Sequence, residues 1–179
     1  MATPRLEDLP HYGYQDYLQW EGRWELIAGI PYAMTPAPSV RHQSISGRID
    51  RLLQEALEEC QGCRALLPVD WKIDEDTVVQ PDNLVIRHEP QHAYLTRAPV
   101  LIFEVLSPNT ARKDKITKFA LYEREGVRHY VIVDPDEKVA KVYRRHQGRY
   151  IKVTDAVEER CAFDLGDCSI ELDFSRIWN

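Results

Sequence analysis

The sequence predicts a mixed α/β or α+β sandwich, because strand-like and helix-like segments alternate along the chain. Short runs rich in Val, Ile, Leu and Phe are typical of buried strands, and two longer segments repeat their apolar residues at helical spacing. The order is a hairpin, a helix, three strands, a second helix and two or three final strands. With 179 residues, the chain can bury a proper hydrophobic core, so we expect a single domain over residues 1–179.

The first third of the chain predicts a hairpin between two helices. Residues 13–21 indicate a short helix, residues 23–29 a strand, and residues 30–34 its hairpin partner. Ser39 is a suitable cap for a long helix that continues to about Cys60. Apolar residues recur at i, i+3 and i+4 along this helix, namely Ile45, Ile49, Leu52, Leu53, Ala56 and Leu57.

The remaining segments alternate between strands and one further helix. Between the two long helices, we expect strands at 64–73 and 77–87 and a third, the most apolar, at 100–107 after a polar loop. A helix follows from about Ala111 to Glu125 and ends at Gly126. The final strands are predicted at 128–134, 138–145 and 149–153.

Charge and hydropathy limit the classes of function. The net charge of −6 argues against a protein that coats nucleic acid nonspecifically, since phosphate binding needs basic residues. Basic residues outnumber acidic ones in residues 108–152, where they could meet an anionic substrate or form an ordinary solvated surface. No apolar run reaches the roughly 20 residues of a membrane span, and the N-terminus lacks the features of a signal peptide. We therefore expect a cytoplasmic protein without membrane contact.

Four cysteines leave a zinc site as one alternative. Cys60 and Cys63 have the spacing of a redox or zinc motif. The pair follows a predicted helix C-terminus, where the helix dipole opposes a thiolate, so a redox pair is disfavoured. Zinc bound by Cys60, Cys63, Cys161 and Cys168 would require the C-terminus to fold back to this helix. We treat the cysteines as structural.

Two carboxylates lie at matching places in two predicted core strands. Asp82 and Glu104 each interrupt a run of Val, Ile, Leu and Phe, with twenty-one residues between them. Burying a carboxylate in so apolar a strand is costly, and a divalent cation would offset that cost for both acids. The alternative is structural, with Asp82 capping a turn and Glu104 bridging to a buried Arg or Lys.

The predicted strands also indicate how these acids meet. Side chains two apart share a strand face, so Glu104 points with Leu106. Asp82 follows Pro81, which marks a bulge or a strand end and could turn the carboxylate toward Glu104. Together with the carbonyl oxygen of Val105, the two carboxylates would form a hard oxygen site for Mg²⁺ or Mn²⁺. Such an ion lowers the pKa of bound water and neutralises a phosphoryl oxygen.

The helix after Glu104 supplies a candidate cation. Asp114, Lys118 and Tyr122 are spaced at i, i+4 and i+8, which places them on one stripe of the helix. A lysine on the sheet-facing side could orient an attacking water or offset charge on the phosphorus. The alternative is an ordinary surface ion pair between Asp114 and Lys118. His42, near the start of the first long helix, is interpreted as a capping or packing residue and only secondarily as a residue of the site.

Five motifs occur in an order that identifies a family resemblance. They are Glu25-Leu-Ile-Ala-Gly29, Gln80-Pro81-Asp82, Glu104-Val-Leu-Ser-Pro108, Asp114-Lys-Ile-Thr-Lys118 through Tyr122-Glu-Arg-Glu-Gly-Val127, and Tyr130-Val-Ile-Val-Asp134. The set closely resembles the Uma2 family, formerly a domain of unknown function, which is placed in the PD-(D/E)XK nuclease superfamily. The resemblance covers about residues 20–155.

The resemblance implies a restriction-endonuclease-like core, in which a mixed sheet is flanked by helices and carries a divalent-metal site. By motif, Asp82 is the aspartate of the superfamily pattern and Glu104 is its glutamate. Glu25 matches a family glutamate and is a further candidate carboxylate for the metal. Leu106 stands where the superfamily has its lysine.

Because Leu106 stands in place of the expected lysine, two interpretations of function remain. The favoured one is a Mg²⁺- or Mn²⁺-dependent endonuclease that hydrolyses DNA, with its lysine on the following helix at Lys118 or, as the second candidate, Lys115. The alternative is a nucleic-acid- or protein-binding module that retains the scaffold without activity. A two-carboxylate glycoside hydrolase is disfavoured, because no aromatic-lined sugar cleft accompanies the acids. A C2 homodimer would suit an enzyme that cuts two strands.

Overall fold

A six-stranded mixed sheet forms the centre of the structure, a computed structural model that describes residues 8–34 and 36–178. The helices are α1 (Tyr14–Tyr17), α2 (Val40–Ala56) and α3 (Phe119–Glu125), with a π-helical turn at Lys113–Lys118 and a 3₁₀ turn at Phe174–Ile177. The strands are β1 (Trp24–Ile27), β2 (Ile30–Ala33), β3 (Arg64–Leu66), β4 (Trp71–Asp74), β5 (Thr77–Val79), β6 (Asn83–Ile86), β7 (Leu101–Val105), β8 (His129–Asp134), β9 (Val139–His146), β10 (Arg149–Ala156), β11 (Arg160–Asp164) and β12 (Ser169–Asp173).

The strands of the central sheet follow the order β10-β9-β8-β7-β6-β3. Strands β7 and β8 are parallel, and the other neighbouring pairs are antiparallel. A parallel pair needs a crossover connection, which the π-helical turn and α3 provide. Both faces of β7 and β8 are covered, which explains their near-continuous apolar sequences. The predicted mixed α/β class, with a central sheet flanked by helices, is confirmed.

The predicted N-terminal hairpin is part of a four-stranded antiparallel sheet. Strands β1 and β2 pair with Trp24 opposite Ala33, and the full order is β2-β1-β5-β4. Ile27, Trp71 and Val79 from this sheet pack with buried residues of β6 and β7 in one apolar cluster. The four-stranded sheet therefore covers one face of the central sheet.

Helix α2 and a C-terminal hairpin cover the opposite face. The predicted apolar stripe of α2 is buried, and it packs in one cluster with Phe103 of β7 and with Phe163 and Phe174. Strands β11 and β12 pair as an antiparallel hairpin in which alternate residues are buried. The sequence predicts no strand beyond residue 153, so this hairpin is an addition to the predicted fold.

Two predicted strands are each divided between the two larger sheets. The run 64–73, predicted as one strand, forms β3 in the central sheet and β4 in the four-stranded sheet. The run 77–87 likewise forms β5 and β6. Pro68 and Pro81 lie at the two breaks, where a residue without an N–H cannot continue the ladder. Each predicted run is therefore two strands. The break at Pro81 agrees with the bulge or strand end expected there, whereas the break at Pro68 is not predicted, and the second break leaves Asp82 between the sheets.

The helices differ from their predictions mainly at their ends. Helix α1 is shorter than the predicted segment 13–21, and α2 ends at Ala56 rather than near Cys60. The helix predicted at 111–125 begins with the π-helical turn, continues as α3 and ends at Gly126, whose φ of 85° favours glycine. In the described part of the chain, no helix combines the length and the apolar character that crossing a membrane requires.

The predicted N-cap of α2 can be tested by removing one hydroxyl group. Ser39 accepts a hydrogen bond from the backbone N–H of His42 at 3.2 Å, so Ser39→Ala should lower the free energy of unfolding by about 1 kcal/mol. Ser44→Ala, at an exposed position of the same helix, is the matched control and should cost nothing, since alanine is the better helix former. Urea denaturation measures both values, and equal losses would contradict the capping role.

Candidate active site

A cavity of about 970 Å³ lies between β2, the start of α2, the end of β7 and the π-helical turn. Asp82, Glu104 and Lys118, which the sequence singles out, line this cavity together. His42 and Asp114 line it as well. The carboxyl end of β7 and the start of its crossover connection therefore meet at the cavity, and they bring acids and a lysine to one place.

Asp82 is positioned by the break between β5 and β6. Asn83 pairs with Phe103 in the sheet, so the preceding residue, Asp82, lies across from Glu104. Because β6 begins only at Asn83, Asp82 lies outside the strand, and its side chain rather than its backbone contacts β7. Its Oδ2 accepts a hydrogen bond of 2.8 Å from the backbone N–H of Val105. This contact fixes the carboxylate against β7 and leaves Oδ1 for another ligand.

His42, interpreted first as a capping or packing residue and secondarily as a residue of the site, lines the cavity beside Asp82. Its Nε2 lies 3.2 Å from Asp82 Oδ2, and its Nδ1 is buried without a hydrogen-bond partner among the described residues. Burial lowers the pKa of His42, but the hydrogen bond and charge of Asp82 outweigh this effect and raise it. Burial raises the pKa of Asp82, and His42 reverses that effect, so the net pKa of the carboxyl is lowered.

Glu104 is buried at the end of β7 and receives two hydrogen bonds on the same oxygen. Lys118 Nζ donates to Oε1 at 2.8 Å, and the Tyr122 hydroxyl donates to it at 2.7 Å. Both bonds fall on Oε1, which leaves Oε2 for a cation. Burial raises the pKa of Tyr122 well above its usual value and the Glu104 charge adds to this, so the phenol remains a donor.

Lys118 is 2% exposed and lies at the centre of an ion-pair network. Its Nζ is 2.8 Å from Glu25 Oε1, 2.8 Å from Glu104 Oε1 and 3.6 Å from Asp114 Oδ1. The alternative of a surface ion pair with Asp114 is wrong, because both side chains are buried. Burial alone would lower the pKa of Lys118, but the three carboxylates raise it well above its usual value, so the lysine stays protonated.

Glu25, expected as a carboxylate for the metal, instead pairs with two lysines. It is fully buried on β1 and is not among the residues that line the cavity. Its Oε1 contacts Lys118 and accepts the backbone N–H of Gln80 at 2.8 Å, while its Oε2 contacts Lys113. Burial raises the pKa of Glu25, but the two lysines outweigh this effect and lower it. Glu25 therefore anchors the lysines, and both of its oxygens are already engaged.

Lys113 is a residue of the site that the sequence pattern does not reveal. It precedes Lys118 by five residues, a spacing that puts two side chains on different faces of an α-helix. The π-helical turn has i→i+5 hydrogen bonds, so it brings residues five apart to one side, and both lysines reach Glu25. Lys115, the second candidate for the displaced lysine, is exposed and is not among the residues that line the cavity.

Leu106, where the family resemblance leads us to expect a lysine, is 8% exposed and lines the cavity. It packs with Ile102 in the apolar cluster between the two large sheets. Phe103 and Val105 belong to the cluster on the opposite face, which agrees with the predicted alternation along β7. The cation therefore reaches Glu104 from the crossover connection and not from β7 itself.

The network around Lys118 contains four acids and two lysines. The acids are Glu25, Asp82, Glu104 and Asp114, and the lysines are Lys113 and Lys118. Burial raises the pKa of Glu104 well above its usual value, and neighbouring acids add to this against the opposing charge of Lys118. Burial also raises the pKa of Asp114. Both shifts reflect the cost of ionising buried carboxyl groups that lie beside other acids, and a bound divalent cation would lower that cost.

The donor atoms fit a hard divalent cation. Asp82 Oδ1 and Glu104 Oε2 take no part in the hydrogen bonds that hold these two side chains. Asp114 Oδ1 is buried and accepts no hydrogen bond from the described residues. A set of carboxylate oxygens suits Mg²⁺ or Mn²⁺ better than a soft metal.

The mixed sheet, its helical crossover and the cavity lined by acids and a lysine define a restriction-endonuclease-like fold. The chain belongs to the Uma2 family, whose family model, described as "Putative restriction endonuclease", matches residues 14–161. The resemblance predicted for about residues 20–155 is confirmed over a slightly longer span.

A solved structure supports the same fold. It is a protein from Anabaena variabilis ATCC 29413, described as "a putative nuclease belonging to DUF820". The two structures superpose with a TM-score of 0.74 at 19% identity, and the match covers 92% of this chain and 96% of that chain. At 19% identity, this similarity establishes only that the two proteins share a fold. A search among curated proteins found no match.

Glu104→Gln should change how stability depends on pH in the absence of divalent cations. The raised pKa means that the folded protein favours protonated Glu104, so its stabilising contribution is present below the ordinary glutamate pKa of about 4.3. That contribution is lost as the pH rises toward the raised pKa, by at most about 1.4 kcal/mol per pH unit. Glutamine does not ionise, so the variant should escape this loss and be the more stable protein at neutral pH.

Chemical denaturation in chelator across a range of pH measures this effect. Glu25→Gln is the matched control with the opposite sign, because the lysines lower the pKa of Glu25 and its carboxylate stabilises the fold above the ordinary value. Glu25→Gln should therefore be less stable than wild type at neutral pH. A Glu104→Gln variant that is equally destabilised would contradict the raised pKa of Glu104.

Proposed function

We propose that this protein is a Mg²⁺- or Mn²⁺-dependent endonuclease that hydrolyses phosphodiester bonds in DNA. The observation that carries the proposal is the meeting of Asp82, Glu104 and Lys118 in one cavity, with Asp114 beside them. Membership of a family described as "Putative restriction endonuclease" supports the nuclease class.

The metal ion would be held by Asp82 Oδ1, Glu104 Oε2 and the backbone carbonyl of Val105, with Asp114 as a further oxygen donor. When bound, such an ion supplies a water molecule of lowered pKa and neutralises a phosphoryl oxygen. In this proposal, all four donors come from the ends of neighbouring strands or from the π-helical turn that follows.

Positioning residues hold these acids in the required orientation. His42 and the N–H of Val105 both contact Asp82 Oδ2, so the other oxygen of this carboxylate points away from them. Tyr122 and Lys118 fix Glu104 in the same way through Oε1. Such contacts reduce the reorganisation that the site would need during the reaction.

Lys118 would also stabilise the negative charge that develops on the phosphoryl group. It is protonated, buried and directed at the cavity wall, so its charge is little screened by water. Glu25 holds the ammonium group from the other side at 2.8 Å. In this proposal, Glu25 is a positioning residue and Lys118 a catalytic one.

Basic side chains at the rim of the cavity suit a polyanionic substrate. Arg23, Arg41 and Arg112 all line the cavity. Arg41 pairs with Asp136 at 2.8 Å, Arg23 donates to the Gln80 side chain, and Arg112 is exposed. Arginine contacts to phosphates position a nucleic acid without reading its sequence. They would provide local attraction in a protein whose net charge is negative.

One observation favours the alternative of an inactive binding module. Lys118 Nζ is already within 2.8 Å of two carboxylates, so the network could stabilise the scaffold without any catalytic role. The two functions differ in one measurable respect, since only the enzyme turns over a phosphodiester with metal ions.

Plasmid cleavage tests the proposed activity. With Mg²⁺ or Mn²⁺ the wild type should nick or cut DNA, whereas Ca²⁺ should bind and support little cleavage. Asp82→Asn and Glu104→Gln should each abolish cutting, because they remove charge from the metal site at nearly constant volume. Lys118→Met should slow turnover by about 10²–10³-fold, the usual cost of losing one group that stabilises transition-state charge. Lys115→Met, at an exposed position outside the cavity lining, is the matched control and should keep wild-type activity.

The melting temperature of each variant in chelator separates loss of activity from loss of fold. Asp82→Asn should be folded and should also lose the rise in melting temperature that Mg²⁺ gives to the wild type. If the wild type and all variants show the same trace cleavage, that cleavage comes from a contaminant. The inactive binding module would then be the better description of the protein.

The contribution of the rim can be tested through the salt dependence of DNA binding. Arg112→Ala should weaken binding to unrelated DNA sequences by a similar factor, because a phosphate contact carries no sequence information. The slope of log Kd against log salt should fall by about 1, the value expected for the loss of one phosphate contact. Arg51→Ala, an exposed arginine of α2 outside the cavity lining, should leave the slope unchanged. Fluorescence anisotropy in Ca²⁺ measures both variants.

A further inference from the structure

Three cysteine sulfurs meet beyond the C-terminal end of α2. The Sγ atoms of Cys60, Cys63 and Cys168 all lie within 4.8 Å of one another. Cys63 Sγ is 3.7 Å from that of Cys60 and 3.9 Å from that of Cys168, while Cys60 and Cys168 are in bonding contact as a disulfide. Cys161 is buried with a free thiol and lies outside this cluster, so the four-cysteine set considered from the sequence is not brought together.

Two tight turns hold these sulfurs in place. The N–H of Cys63 donates to the carbonyl of Cys60 at 3.2 Å, and Gly62 between them has a φ of 80°, which favours glycine. In the turn between β11 and β12, the N–H of Leu165 donates to the carbonyl of Cys168 at 2.8 Å. The three side chains also pack against the apolar cluster around α2. The fold itself therefore brings the three sulfurs together.

We propose that Cys60, Cys63 and Cys168, in their reduced form, bind a Zn²⁺ ion. A disulfide between Cys60 and Cys168 leaves Cys63 without a function, whereas a metal ion uses all three residues. Zinc binds thiolates at about 2.3 Å in a tetrahedron, for which two sulfurs are about 3.8 Å apart. The two distances from Cys63, 3.7 and 3.9 Å, match this edge. The other two sulfurs would separate by side-chain rotation across a Cα distance of 5.9 Å.

The zinc ion would have three protein ligands and one solvent ligand. In the part of the chain that the structure describes, no further His, Cys, Asp or Glu offers a donor atom to the cluster. Cys63 and Cys168 are half-buried, so a water molecule can reach the fourth position of the tetrahedron. Thiolates are soft ligands, which separates this site chemically from the oxygen-rich cavity.

Such an ion would attach the C-terminal hairpin to α2. Cys60 and Cys168 are separated by 108 residues, so the link joins two distant parts of the chain. Among the described strands, β11 and β12 pair only with each other, and a two-stranded sheet is marginally stable without further support. The cluster lies roughly 25 Å along α2 from His42, at 1.5 Å per helical residue. The zinc proposal therefore does not depend on the proposed nuclease activity.

Zinc content and affinity of the full-length protein, purified under reducing conditions, test the proposal. The wild type should bind one Zn²⁺ per chain and should show a thiolate-to-metal charge-transfer band when Co²⁺ replaces zinc. Cys63→Ser should weaken Zn²⁺ binding by more than about 100-fold, since losing a ligand costs more than the 10–100-fold lost with a group that only orients one. Cys161→Ser is the matched control and should bind zinc as the wild type does. Zinc should raise the melting temperature of the wild type but not of Cys63→Ser.

Cys63→Ser is the decisive variant, because it spares both partners of the disulfide. If the reduced wild type binds no zinc, or if Cys63→Ser binds it as tightly as the wild type, the proposal is overturned. The cluster would then be a disulfide with a neighbouring free thiol. Asp82→Asn should retain zinc, so failure of the zinc site and failure of the nuclease site give different results.

Discussion

The buried ammonium group of Lys118 joins the two large sheets of this protein. Glu25 lies on β1 of the four-stranded sheet and Glu104 on β7 of the central sheet, and Lys118 Nζ is 2.8 Å from a carboxylate oxygen of each. Removing Glu25 from this group should cost about 3–5 kcal/mol, because the buried lysine charge that it compensates would be left unpaired. The crossover connection is thereby fixed against both sheets at the point where the cavity opens, and the orientation of Glu104 depends on it.

This constraint gives a physical reason for a leucine at position 106. A lysine in place of Leu106 would enter the apolar cluster, where a cation without a close partner is costly. From the π-helical turn, Lys118 reaches Glu104 and Glu25 together, and Lys113 satisfies the second oxygen of Glu25. One helical turn thus supplies two cations to the site, and β7 keeps an apolar side chain that packs the sheets together.

Much of the fold could be predicted from the sequence, because caps, turns and strand alternation are local. Ser39 begins α2 and Gly126 ends α3 for reasons that lie within a few residues of each. The assignment of strands to sheets could not be predicted in the same way. Pro81 marks a bulge or strand end in the sequence, but only the packing of the finished molecule decides that the chain changes sheet there and at Pro68. The break at Pro81 is nevertheless what frees Asp82 to contact β7.

Some residues of the candidate site can be identified from the local sequence, whereas others depend on how distant segments pack together. A carboxylate within an apolar strand is a local signal, and it singled out Asp82 and Glu104. The contact of His42 with Asp82 depends on how α2 docks, and the contact of Lys113 with Glu25 depends on a π-helical turn. A motif can therefore name the acids of such a site without assigning their roles. Glu25 has a lowered pKa and Glu104 a raised one although both are fully buried, because two lysines compensate the first while neighbouring acids oppose the ionisation of the second.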